Sequence, residues 1–104
     1  MSILFDECVP RPLRRLLPEQ RIRTTQEMGW SRCQNGELLA LAEPHFGLLV
    51  TTDKNLRYQQ NLTGRRIAIL VLPTTDWTVI RPKAADVAAA IAQMQPGEFR
   101  ELSF

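Results

Sequence analysis

The carboxylates of this chain stand where they could do chemistry. Asp6-Glu7 follows directly on the apolar run Ser2-Ile-Leu-Phe5, and Asp53 follows directly on Leu48-Leu-Val-Thr-Thr52. Asp76 comes soon after Ile67-Ala-Ile-Leu-Val-Leu72, and Glu37 opens the stretch Glu37-Leu-Leu-Ala-Leu-Ala-Glu43. Carboxylates brought close together repel unless a proton or a cation offsets their charge, and a divalent ion is the natural partner. Oxygen ligation suits Mg2+ or Mn2+, whereas a single histidine, His45, gives little basis for a zinc or copper site. An acidic pocket of this kind binds phosphate oxygens and activates water, which is the chemistry of phosphodiester hydrolysis.

The elements that must position these groups are legible as apolar runs. Ser2–Phe5, Leu48–Thr52 and Ile67–Leu72 read as buried strands that deliver polar side chains at their carboxyl ends. Arg21-Ile-Arg-Thr-Thr25 alternates like an edge strand, and Phe99–Leu102 adds a short last one. Pro10 and Pro12 open a short helix with Leu13, Leu16 and Leu17 on one face, and Pro18 ends it. Gln26 to Met28 forms a turn of helix before Gly29, and Asn35 caps the helix over Glu37–Glu43. A further short helix is expected over Lys54–Leu62, closed by Thr63-Gly64. Trp77–Pro82 reads as a connector. Pro82 then opens a helix with the apolar stripe Ala84, Val87, Ala88, Ile91 and Met94, closed by Pro96-Gly97.

Strands alternating with helices, and central strands that are apolar throughout, define an α/β fold with a parallel sheet covered on both faces. Ligands of such sheets sit beyond the carboxyl ends of the strands, where the strand order reverses, commonly beside the first strand. If the first strand neighbours the one ending at Asp53, then Asp6 and Asp53 converge there with Glu7 nearby. Glu37 could reach the same edge, as a third ligand or to orient the attacking water. Each acid also has a plain structural use. Aspartate after a strand caps helices and builds turns, which is the default for Asp76. Glutamate in a first helical turn is favoured by the helix dipole alone.

Length and composition set the frame: 104 residues, 44% hydrophobic and 23% charged, make a single domain over residues 1–104 with one real core. No apolar run approaches the roughly 18 residues of a membrane span, and Met1–Phe5 runs into acids rather than a signal peptide. A cytoplasmic location follows as the expectation, in which Cys8 and Cys33 stay reduced. The net charge of +2 is uneven, since residues 1–66 carry ten Arg or Lys against seven acids and residues 67–104 carry three against four. That tilt suits an anionic partner such as nucleic acid, and equally a solvated surface. Trp30, Tyr58 and Trp77 could stack on bases, although packing is the commoner fate of an aromatic ring. Gly64-Arg65-Arg66 has neither the glycine spacing nor the Lys-Ser/Thr of a phosphate loop.

Three stretches together carry a resemblance: Ile3-Leu-Phe-Asp-Glu-Cys-Val-Pro10; Gly29-Trp-Ser with Asn35-Gly-Glu-Leu-Leu-Ala40; and Leu49-Val-Thr-Thr-Asp-Lys-Asn-Leu-Arg-Tyr-Gln-Gln-Asn-Leu62 followed by Arg65-Arg-Ile-Ala-Ile-Leu-Val-Leu-Pro73. In these the chain resembles the small PIN-like proteins counted among the toxin components of bacterial toxin-antitoxin systems. The resemblance implies a three-layer α/β/α PIN-like fold with a mostly parallel sheet of four to five strands. It also implies a metal-dependent nuclease acting on RNA, with Mg2+ or Mn2+ as cofactor, and an antitoxin protein or a second copy of the chain as partner. Asp6, Glu37 and Asp53 carry over as the acidic cluster, with Glu7 and Asp76 as possible additional acids. Lys54, Arg57 and Arg32 flank those acids and become the expected phosphate contacts. The chain departs from the family at Asn35, where many relatives have an acid, and in lacking a secure fourth acid.

Two other classes compete. A binding module could keep this architecture without turnover. A phosphoacceptor signalling domain shares the acid pair after the first strand and the aspartate after a middle strand, but needs a hydroxyl and then a lysine at the ends of later strands. Thr74 and Lys83 stand too close together for that.

Overall fold

A computed structural model describes residues 2–33, 35–54, 56 and 65–104. The chain builds an α/β fold on one five-stranded sheet in the order β2-β1-β3-β4-β5, with every neighbouring pair parallel. The strands are β1 (Ser2–Phe5), β2 (Arg21–Thr24), β3 (Leu48–Thr51), β4 (Ala68–Val71) and β5 (Phe99–Glu101). All five lie within or on the runs expected from hydropathy. The chain steps from β1 outward to β2, then returns across β1 to β3, so the strand order reverses between β1 and β3.

The central strands are apolar throughout because both their faces are covered. On one face Ile3, Phe5, Leu48, Val50 and Leu70 pack with Leu13, Leu17, Ile80, Val87 and Ile91. On the other, Leu4, Leu49, Ile69 and Val71 pack with Leu38, Leu39, Ala42 and Phe46. The second layer comes from α1 (Asn35–Ala42), and the first from α2 (Trp77–Ile80), α3 (Ala84–Gln93) and a 3₁₀ turn over Arg11–Leu16. Of the expected stripe of the last helix, Val87, Ile91 and Met94 are buried, Ala84 and Ala88 are half-buried against the same cluster, and Ala90 is buried beside them.

The structure corrects the local reading in three places. The proline-opened element is a 3₁₀ turn rather than an α-helix, because Pro12 near its start and Pro18 beyond its end leave too few residues for the longer ladder. Leu13 within it and Leu17 just after it are buried, but Leu16 is 42% exposed. The stretch read as a connector begins with a helical turn, α2. Asp76 caps it, its Oδ1 accepting from the Thr78 N–H at 2.9 Å and the Thr78 hydroxyl at 2.7 Å. Pro82, expected to open the last helix, sits in a 3₁₀ turn over Arg81–Lys83 that joins α2 to α3. The helix expected over Lys54–Leu62 falls largely outside the described residues, as do the side chain of the expected cap Asn35 and the residues Tyr58, Thr63 and Gly64.

The turn after β2 is fixed by a reciprocal pair. The Thr24 N–H donates to Glu27 Oε1 at 2.9 Å, and the Glu27 N–H donates to Thr24 Oγ1 at 3.1 Å. This is the Thr-x-x-Glu capping arrangement. Gly29 closes the turn with φ +76°, a backbone state that glycine adopts without steric cost.

Candidate active site

The carboxyl edge between β1 and β3 is the place the strand order singles out for a ligand. Ladder hydrogen bonds continue one residue past the paired strands there, from the Asp6 N–H to the Val50 carbonyl at 2.9 Å and from the Thr25 N–H to the Phe5 carbonyl at 3.0 Å. Since Phe5 pairs with Thr24 on one side and Val50 on the other, the next step sets Asp6 between Thr25 and Thr51 on one face of the sheet. Both threonines are 1% exposed.

Thr51 joins two of the expected site residues. Its hydroxyl donates to Asp6 Oδ2 at 2.8 Å and accepts from the Asp53 N–H at 3.2 Å. Because the one hydroxyl proton is directed at Asp6, the Cys8 thiol, 3.9 Å from the same oxygen, is the donor in that weaker contact. The other oxygen of Asp6, Oδ1, accepts from the Glu7 N–H at 2.9 Å. The Asp6 carboxylate is thus held at both oxygens while each keeps a lone pair for a further partner. The Thr25 hydroxyl is buried and has no hydrogen-bond partner among the described residues.

The other expected residues are distributed around this edge. Asp53 is half-buried just after β3, whereas Glu7, Lys54 and Arg32 are exposed. Glu37 is exposed in the first turn of α1, and its Oε1 accepts from the Cys33 thiol at 3.6 Å. Burial first, and then the Glu37 charge, push the Cys33 thiol above its ordinary range, so Cys33 is held as the neutral donor. As the crossover from β2 to the parallel strand β3, α1 has to run back along the sheet, which puts its N-terminal turn toward the carboxyl edge. Asp76 follows β4 on a separate loop, where its carboxylate caps α2. Arg57 lies outside the described residues.

The Thr51 hydroxyl therefore links the Asp6 carboxylate to the backbone N–H of Asp53. Among the described residues, no three His, Cys, Asp or Glu side chains form a group that could hold a metal ion. Thr51 and Thr25 were missed in the sequence because β-branched residues at the end of a strand look like strand formers. The available signal was that Thr51 stands two residues before Asp53, in phase with it on a strand of period two.

No protein-family model, curated protein or solved structure matches this chain. Among the described residues no helix is long and apolar enough to cross a membrane.

Proposed function

We propose that the chain is a PIN-like ribonuclease that depends on Mg2+ or Mn2+ and acts in the cytoplasm as the toxin of a toxin-antitoxin pair. The observation that carries this reading is the Asp6 carboxylate held by the Thr51 hydroxyl, which also accepts from the Asp53 backbone N–H, at the point where strand order reverses. The donor set fits a hard cation in kind, being made of carboxylate oxygens. Asp6 and Asp53 would hold the ion, and Glu37 would complete or orient the set. When bound, the ion supplies positive charge at the scissile phosphate and makes the attacking water more acidic. The protein's own part is to keep the Asp6 carboxylate fixed through Thr51 and the Glu7 N–H, and to offer the exposed Lys54 and Arg32, with Arg57, to phosphate oxygens.

A second reading, a non-catalytic binding module of the same type that meets an antitoxin or a second copy, is favoured by one observation. The Glu37 carboxylate is engaged by Cys33, and no three-ligand group is formed among the described residues. A phosphoacceptor role is disfavoured, since Leu102 follows β5 and Lys83 lies in the turn between α2 and α3.

The deciding experiment titrates Mn2+ against wild type and Asp53→Asn with RNA cleavage as the readout. The ribonuclease reading expects metal-dependent cleavage that falls on the order of 100-fold or more in the variant. Equal cleavage and equal metal response in the two proteins sink it, and partner binding without any metal-dependent cleavage favours the module.

A further inference from the structure

Residues 11–27 hold five arginines against Glu19 and Glu27, a local charge of +3 that exceeds the +2 of the whole chain. Within this segment β2 is an edge strand whose alternation turns Ile22 into the first core layer and leaves Arg21 and Arg23 exposed on the opposite face. The two positions are about 7 Å apart along the strand. They line an open cleft of about 370 Å³ with Ser2, Arg14 and Phe46. Arg14 pairs with Glu27 at 2.8 Å, and Arg23 approaches the same carboxylate at 3.9 Å. Among the described residues Arg21 has no carboxylate partner.

Phe46, itself buried, joins this cleft to two further rings. Trp30, half-buried, stands edge-on to Phe46 with ring centres 6.2 Å apart. It is tilted 36° to the exposed ring of His45, 6.5 Å away. Basic and aromatic side chains therefore share one face, and β2 runs from them to Thr25, the neighbour of Asp6.

We infer that this face binds single-stranded RNA, with Arg21 and Arg23 on neighbouring phosphates and Trp30 and His45 stacking on bases. The inference rests on the ribonuclease reading and adds the form of its substrate and the path by which the strand reaches Asp6. An acidic peptide would use the arginines and leave the rings without a role. A duplex keeps its bases stacked on one another and out of reach of the rings.

The test measures anisotropy of a short labelled oligouridine with chelator present, so that cleavage does not enter, over a series of salt concentrations. Arg21→Ala with Arg23→Ala is expected to weaken binding about tenfold or more and to lower the salt slope by about 1.4, roughly 0.7 for each phosphate of a single strand that is left without its arginine. Arg21→Lys with Arg23→Lys restores the slope. Trp30→Leu weakens binding roughly fivefold or more with the slope unchanged. Circular dichroism confirms that each variant is folded. Unchanged affinity and slope in the double Ala variant overturn the inference, as does competition by duplex RNA or polyglutamate equal to that of oligouridine. Binding that holds while Mn2+ supports no cleavage sinks the ribonuclease reading alone, and cleavage that persists while the double Ala variant binds normally sinks this inference alone.

Discussion

Asp6 follows β1 and accepts a hydrogen bond from Thr51, 45 positions away on the neighbouring strand. Asp76 follows β4 and accepts two from Thr78, two positions further on. Both are aspartates placed just beyond apolar strands of the same sheet, yet one is tied across the fold and the other to its own loop. The Thr78 hydroxyl and N–H satisfy Asp76 Oδ1 and start α2. Asp6 sits at the reversal of strand order with a buried threonine on either side and the Asp53 backbone N–H one hydroxyl away. A carboxylate after a strand is thus tied across the sheet only where the neighbouring strand supplies a partner.

The largest effect that separates the two concerns catalysis. Asp6→Asn is expected to lower Mn2+-dependent RNA cleavage by roughly 100-fold or more, and Asp76→Asn to leave it within about twofold. Equal losses in a cleavage assay would break the distinction between them.

The next effect is on stability. Thr51→Val keeps the shape of the side chain but leaves Asp6 Oδ2 and the Asp53 N–H without their shared partner, at a cost of about 1 to 3 kcal/mol. Urea unfolding measures this against Thr78→Val, whose exposed site leaves the Asp76 carboxylate open to water. A larger loss at Thr78 would mean that the cross-strand link is the weaker of the two.

The smallest effect is in the pH dependence. Hydrogen bonds from the Thr78 side chain and backbone hold the Asp76 carboxyl below its ordinary value of 3.8. A carboxyl lowered in the folded state adds stability that is fully present above its unfolded value and fades as pH falls through the folded one. Asp76→Ala should therefore lower the thermal midpoint by a few degrees at neutral pH, and the gap from wild type should narrow in strong acid below that ordinary value. A gap that widens on acidification would contradict the cap as the cause of the lowered value.

Much of the architecture was legible because it depends on local pattern. Four of the five strands announce themselves by apolar runs buried on both faces or by alternation at the edge, while β5, Phe-Arg-Glu, is short and only partly buried. The α2 turn could also have been seen, since Asp76-Trp-Thr is a cap signal, but it was obscured by the expectation that Pro82 opens the helix. Leu16 misled because helical spacing says which side chains share a face, and the short 3₁₀ turn over Arg11–Leu16 does not keep that spacing.

By itself the sequence determined which residues end each strand, since hydropathy and strand period are properties of neighbours along the chain. Only the tertiary structure decided that β1 lies between β2 and β3, and hence that Asp6 meets Thr25 and Thr51. Strand order is set by how helices of fixed length cross and cover the sheet, and that long-range packing leaves no mark in the spacing of residues around Asp6.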